Sequence, residues 1–336
     1  MHVIELRAAA TESLTRTEWP EPAKPGHGEA LIWMHAAAFN FIDVAVAAGP
    51  YPGALYPNAP VADGAGEVVA VGDGVDTVSV GDRVAIHPKS HWIAGRGTAQ
   101  NGKAMRGVTI SGSLVELALV DAVTLVKAPD HLSWEQIASL PISATTGWNA
   151  LQAGNIGPGS TIVLPGTGVT ALQTLQLAKA AGAKVIVTSS SDDKLASATA
   201  LGADHGINYR ANPNWETEVL SLTGGVGADL ILETTGAATV EKSLAAVRQG
   251  GTVFMIGFVS GTALPLDMMP IIVKAIRMIG NNTGSVADFQ AAMDVVAAHR
   301  ISPVVAETFG VADTKAAYLS LDREARFGKV ALNLNW

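Results

Sequence analysis

The 336-residue chain contains no cysteine. That absence removes disulfides, thiolate zinc sites, iron–sulfur clusters and a cysteine nucleophile together. It leaves the compartment open, because a chain without thiols is indifferent to redox poise. Charged residues are also scarce, at 15%, and they form no Lys/Arg-rich run. With a formal charge of −8, a nucleic acid would have to be held against net repulsion, so no such partner is expected. No segment offers about 18 uninterrupted apolar residues, which argues against a membrane span or membrane partner. Met1-His2-Val3-Ile4-Glu5 lacks the basic stretch and apolar run of a signal peptide. The expectation is a soluble cytoplasmic protein.

Apolar material is plentiful. Hydrophobic residues reach 48%, and the length is roughly twice that of a usual domain, so two domains with sizeable cores are expected. The first third reads as β-rich, with short apolar stretches at 30–34, 67–71 and 83–87 between Gly-Asp and Pro-Gly turns. Residues 88–113 are poor in apolar side chains and predict a long loop, mobile or bordering a site. From about Leu132 helices alternate with short buried strands. Strands are predicted at 161–164, 184–188, 229–233 and 252–257, with helices at 170–181, 192–201, 215–222 and 239–248. Such alternation predicts a parallel sheet covered on both faces. A helix over 286–298, a strand led by Pro303, and a closing helix and strand follow. The predicted division is a β-rich domain over 1–127 to which 270–336 returns, and a nucleotide-binding domain over 128–269.

The sharpest local motif is Gly166-Thr167-Gly168-Val169-Thr170-Ala171, a G-x-G-x-x-A that follows a strand and opens a helix. Gly166 allows the sharp turn, Gly168 lets backbone approach a pyrophosphate, and Ala171 lets the helix pack close to the strand. Taken alone, the motif reads equally well as a plain strand–helix turn. The second apolar strand at 184–188 completes a β-α-β unit and favours the nucleotide reading. Where an NAD site places Asp or Glu, about 20 residues past the glycines, this chain has Ser189-Ser190-Ser191, with Lys194 one turn on. Serines can donate to a 2′-phosphate that a carboxylate would repel, and the lysine supplies charge. NADPH (NADP+) is therefore the expected cofactor.

These residues, with Gln176–Ala183, Leu201-Gly202-Ala203-Asp204 and Ile207-Asn208-Tyr209, resemble the cofactor domain of the medium-chain dehydrogenase/reductase superfamily. Upstream, Asn40-Phe41-Ile42-Asp43, Asp63-Gly64-Ala65-Gly66-Glu67-Val68 and Val80-Gly81-Asp82-Arg83-Val84 resemble its catalytic domain. The likeness runs in order over nearly the whole chain, closest to quinone-oxidoreductase-like and "zinc-type alcohol dehydrogenase-like" members. It implies an α/β chain: a Rossmann doubly wound parallel sheet plus a β-rich GroES-like catalytic domain.

The resemblance departs at the metal. Zinc-bearing members carry Cys near Phe39 and Asn40, Gly-His-Glu where this chain has 63–67, another Cys near Ile142, and a four-Cys lobe where this chain has 88–113. None of those ligands is present, and His87 and His91 lack thiolate or carboxylate company at zinc spacing; no metal is expected. The resemblance further implies that Asn40 and Thr146 lie near the nicotinamide, that Lys194 and Tyr209 grip the 2′-phosphate, and that Gly257-Phe258 run past the nicotinamide ring. It pairs Tyr51 with an acceptor-cleft tyrosine, although the plainer reading of Tyr51 is a turn aromatic and of Asp43 a helix cap. The expected activity is NADPH-dependent reduction of a quinone, enone or other small carbonyl, with Asn40, Tyr51 and Asp43 as candidate catalytic residues. A zinc-independent alcohol dehydrogenase or ketone reductase, and a non-catalytic NADPH-binding sensor, stay open. A homodimer is expected, paired through a sheet edge supplied by 252–259 and the apolar segment 264–272.

Overall fold

The computed structural model describes residues 1–49, 51–263, 266–321 and 326–336. The chain divides into two compact units, Met1–Thr145 with Gly284–Trp336, and Thr146–Thr283. These boundaries lie beyond the 127/128 and 269/270 divisions read from sequence. The reason is that a short helix after residue 128 packs on the β-rich sheet, and that 270–283 completes the parallel one.

The amino-terminal segment forms β1 (His2–Leu6), β2 (Leu14–Glu18), β3 (Glu29–Ala38), α1 (Phe41–Ala48), β4 (Asp63–Val71), β5 (Arg83–Ile86), β6 (Leu117–Asp121), β7 (Leu125–Lys127), α2 (Trp134–Ala138) and α3 (Pro141–Gly154). In β3, Ala30, Ile32 and Met34 are buried while Trp33 between them is exposed, the period-2 alternation of a half-buried strand. β3 pairs antiparallel with β4, with Ala38 opposite Asp63. The end of one strand therefore lies beside the start of the next, and this is what assembles the polar cluster described below.

The second unit alternates regularly: β8 (Thr161–Pro165), α4 (Val169–Ala180), β9 (Lys184–Ser189), α5 (Asp192–Ala200), β10 (His205–Asn208), α6 (Trp215–Leu222), β11 (Ala228–Glu233), α7 (Val240–Ala246), β12 (Val247–Met255), α8 (Met268–Lys274) and β13 (Arg277–Gly280). The strands pair in parallel in the order β10-β9-β8-β11-β12-β13. This is a doubly wound sheet that reverses direction between β8 and β11, where such sheets bind ligands at the carboxyl ends of their strands. Val163, Ile186, Ile231 and Val253 fill its core with Trp215 and Leu244. β12 is paired on both sides, so it is not the edge expected from 252–259; the short strand β13 takes that place. Of the apolar segment 264–272, Leu264 and Pro265 lie outside the described residues and the rest leads into α8.

The chain then returns to the first unit as α9 (Val286–Ala298), β14 (Val305–Gly310), α10 (Thr314–Ser320) and β15 (Lys329–Asn333). β15 pairs antiparallel with β3, Ala331 opposite Ala38, and parallel with β14. The resulting seven-stranded sheet buries Val3, Ile32, Met34, Val84, Ile86, Leu114 and Leu332 in one core. No helix among the described residues is long and apolar enough to cross a membrane.

Candidate active site

Gly166 leaves β8 with φ +95, a left-handed conformation that glycine alone adopts without strain. Its N–H donates to the Thr188 carbonyl at 2.9 Å, fixing the turn to the neighbouring strand. Gly168 caps α4, and a Cβ on either glycine would meet no atom within 4 Å. No side chain caps α4. The N–H groups of Val169, Thr170 and Ala171 therefore stay unpartnered among the described residues, at the positive end of a 12-residue helix. Open space over free amides is what a pyrophosphate needs, and the residues present fit a dinucleotide. Thr167 is buried in the turn, and Ala171 packs at 2% exposure.

The proposed 2′-phosphate residues converge at the carboxyl ends of β9 and β10. Asn208 pairs with Ser189, and the Tyr209 N–H donates to the Ser189 carbonyl at 3.0 Å. Ser191 caps α5 by accepting the Lys194 N–H at 3.4 Å, which sets Lys194 over the same corner beside half-buried Ser190. One neighbour escaped the sequence reading: Arg210 adds a second cation to the chain directly after Tyr209. Asn208 Nδ2 donates to Asp192 Oδ1 at 2.7 Å, engaging one of the two carboxylates in the first turn of α5.

At the switch point the Thr234 hydroxyl donates to the Pro165 carbonyl at 2.7 Å, tying β11 to β8. Ile256 and Gly257 have left β12, and both N–H groups donate to the Glu233 carbonyl. A Cβ on Gly257 would stand 1.8 Å from the Thr234 oxygen, so only glycine permits this close approach; Phe258 follows it, exposed. Beneath them lies a hub the sequence reading did not find. The Glu233 carboxylate, wholly buried, accepts from the Thr235 and Gly236 amides and the Thr239 and Ser243 hydroxyls at 2.6–3.0 Å, which locks the turn after β11. Thr146, in α3, is 4% exposed.

In the β-rich unit, Asn40 follows β3, Asp43 lies in the first turn of α1, Asp63 opens β4, and Lys329 opens β15. Lys329 Nζ donates to Asn40 Oδ1 at 2.7 Å and to Asp63 Oδ2 at 3.4 Å. Asn40 Nδ2 donates to Asp63 Oδ2 at 2.8 Å, and the Ile142 N–H reaches the same oxygen at 3.3 Å. Asp63 and Lys329 are both 0% exposed. Burial pushes the Asp63 carboxyl up and the Lys329 ammonium down, while each partner pulls the other back toward its charged form. Asp43 is occupied differently. Its two oxygens accept from the Asn40 and Ala62 backbone amides at 2.7 and 2.9 Å, and burial raises it to about 7. These bonds are those of a buried helix cap. Tyr51 is half-buried against the β-rich core and its carbonyl accepts the Ala54 N–H at 3.0 Å.

The stretches that the resemblance pairs with zinc ligands thus come together around an ammonium. One amide and one carboxylate, both already bonded to a buried cation, do not fit a divalent metal. Among the described residues no group of three or more His, Asp or Glu side chains is placed to hold one. His87 is buried and His91 exposed, and burial pulls His87 down to about 4. The 88–113 loop is tied down rather than loose: its Trp92 and Ile93 carbonyls accept the Val286 and Ala287 amides. It also borders an open cavity of about 570 Å³ lined in part by His91, Lys103 and Thr109.

Residues 26–130 match the family described as alcohol dehydrogenase GroES-like domain, and residues 170–298 match zinc-binding dehydrogenase. A zinc-type alcohol dehydrogenase-like protein of Schizosaccharomyces pombe is 35% identical over 99% of both chains. Among solved structures, an NAD-dependent alcohol dehydrogenase superposes with a TM-score of 0.89 at 30% identity, covering 100% of each chain. A quinone oxidoreductase of Pseudomonas syringae pv. tomato gives 0.82 at 28%, covering 99% of each. With the doubly wound sheet, the open glycine turn and the GroES-like β-rich unit, these likenesses place the chain in the medium-chain dehydrogenase/reductase superfamily, as a nicotinamide-dependent oxidoreductase.

Proposed function

We propose that this enzyme reduces a quinone, enone or other small conjugated carbonyl with NADPH, and does so without zinc. The observation that carries the reading is the Asn40–Asp63–Lys329 cluster, which fills with a buried ion pair the place where zinc-bearing relatives need thiolate and imidazole ligands. Without a Lewis acid, a conjugated acceptor is favoured, because its own π-system spreads the incoming charge. The bound nicotinamide supplies the hydride. The chain's part is to hold the dinucleotide on the amides of α4, to grip the 2′-phosphate with Ser189, Ser190, Lys194 and Tyr209, and to present Asn40 Nδ2 to the oxygen that gains charge. Water or the Tyr51 hydroxyl delivers the proton. Arg210 strengthens the preference for the phosphorylated cofactor.

The test is NADPH and NADH oxidation against quinones, enones and saturated ketones, before and after exhaustive EDTA treatment with zinc quantified. Reduction of conjugated acceptors by NADPH, unchanged by chelation, is expected. Activity restricted to saturated alcohols and NAD, or lost on chelation and restored by zinc, overturns the reading. Tight NADPH binding with no turnover of any acceptor favours the sensor alternative.

A further inference from the structure

Lys329 presents a problem that the fold does not require. A lysine at 0% exposure is costly even when paired, and an apolar pair of the same size would stabilise the sheet as well or better. What the pair does contribute is orientation. An ammonium can only donate and a carboxylate can only accept. With Lys329 Nζ on Oδ1 and Asp63 Oδ2 on Nδ2, the Asn40 amide cannot flip, since the reverse would set donor against donor and acceptor against acceptor. One Nδ2 hydrogen remains without a partner among the described residues, on a side chain that is half-buried rather than sealed. Asp63 Oδ1, by contrast, is buried and accepts no hydrogen bond. The carboxylate is therefore held in place by its bonds on Oδ2 alone.

We propose that Lys329 is a positioning residue of the acceptor site: clamped to Asp63, it locks the Asn40 amide with one N–H aimed outward as a fixed donor, and serves as a tethered cation where zinc-bearing relatives hold a metal. This rests on the reading of the preceding subsection only in identifying the outward N–H with the acceptor's oxygen. The clamp itself is a statement about three side chains. It joins residues 289 and 266 positions apart, which places the last strand of the chain in control of a residue near its beginning.

The experiment compares the wild type with the double variant Lys329→Met/Asp63→Asn, which removes both charges so that neither is left alone in the core, and with Lys329→Gln, which keeps a donor but no charge. Kinetics with a quinone and an enone, NADPH titration by fluorescence, and the Asn40 side-chain amide in ¹H–¹⁵N spectra are recorded for each. In the double variant kcat is expected to fall at least tenfold, while acceptor KM and NADPH affinity stay within threefold. The Asn40 amide should exchange faster, and Lys329→Gln should recover part of kcat. A folded double variant with kcat within threefold of wild type and an unchanged Asn40 amide overturns the clamp. If the wild type reduces no acceptor, the redox reading fails by itself and the spectra decide: protection of the Asn40 amide lost in the double variant supports the clamp, and identical spectra overturn it.

Discussion

The Tyr209 N–H donates to the Ser189 carbonyl, so the ends of β9 and β10 are fastened at the corner where the outer ribose of a dinucleotide is expected. Ser190→Asp places a carboxylate there without touching the sheet. NADPH affinity should fall at least tenfold and NADH affinity should rise or hold. Lys194→Ala should weaken NADPH about tenfold, equivalent to about 1.4 kcal/mol, with little effect on NADH. Equal effects on both cofactors, measured by fluorescence titration, would place the 2′-phosphate elsewhere.

A second expectation separates folding from binding at the glycine turn. Gly168 has φ −74, a value any residue tolerates, and its Cβ would meet nothing. Gly168→Ala should therefore unfold within a few degrees of wild type yet lose nucleotide affinity at least tenfold. Gly257→Ala should do the opposite, because its Cβ would collide with the Thr234 carbonyl; its principal loss is stability. Thermal melts with and without NADPH distinguish the two patterns.

The fold of the nucleotide half was legible because its signals are local. Small residues at a fixed spacing and an apolar strand on either side are read within about 30 residues. The clamp was not legible, since Lys329 begins a segment, Lys329–Asn333, whose pattern says only strand. Nothing near it in sequence announces Asn40 or Asp63. Glu233 was hidden for a different reason. It looked like the end of a strand, and its four donors come from the turn that follows and from α7 with its cap, an arrangement a sequence does not specify. Strand order was equally out of reach: β13, four residues long, is too short to register by periodicity, yet its pairing moves β12 from the edge to the interior.

His87 gives the stability a calculable pH dependence. Burial holds its folded pKa at about 4 against an ordinary 6.5, so the unfolded chain binds a proton that the folded chain refuses anywhere between those values. Its contribution is complete above pH 6.5 and is lost progressively as pH falls toward 4. Converted at about 1.4 kcal/mol per tenfold, the full effect is about 3 kcal/mol. Buried Asp43, raised to about 7, acts in the opposite sense over the same range, so the His87 share is read as a difference: in urea denaturation from pH 7.5 to 4.5 the wild type should lose stability relative to His87→Asn, which does not titrate. An unaltered slope in the variant would assign the acid sensitivity to other groups.

The remaining expectation concerns assembly, which we propose to be a homodimer formed through β13. That strand pairs with β12 on one side and has no second strand beside it among the described residues. Just before it, α8 exposes Met268, Met269, Ile272 and Val273 at 59–66% each, all within one stretch of two turns. Lys274 pins the far end of this helix by donating to the Leu244, Ala245 and Val247 carbonyls at 2.7–2.9 Å, so the apolar side chains are presented on an anchored element. An open strand edge beside an apolar patch invites pairing with another chain. A second copy meeting it antiparallel would continue the sheet and cover the patch in one closed, two-fold contact. Met269→Glu/Ile272→Glu should then shift sedimentation at micromolar concentration from dimer to monomer while leaving NADPH affinity within threefold. A wild type that already sediments as a monomer would show that the edge and the patch are left uncovered in solution.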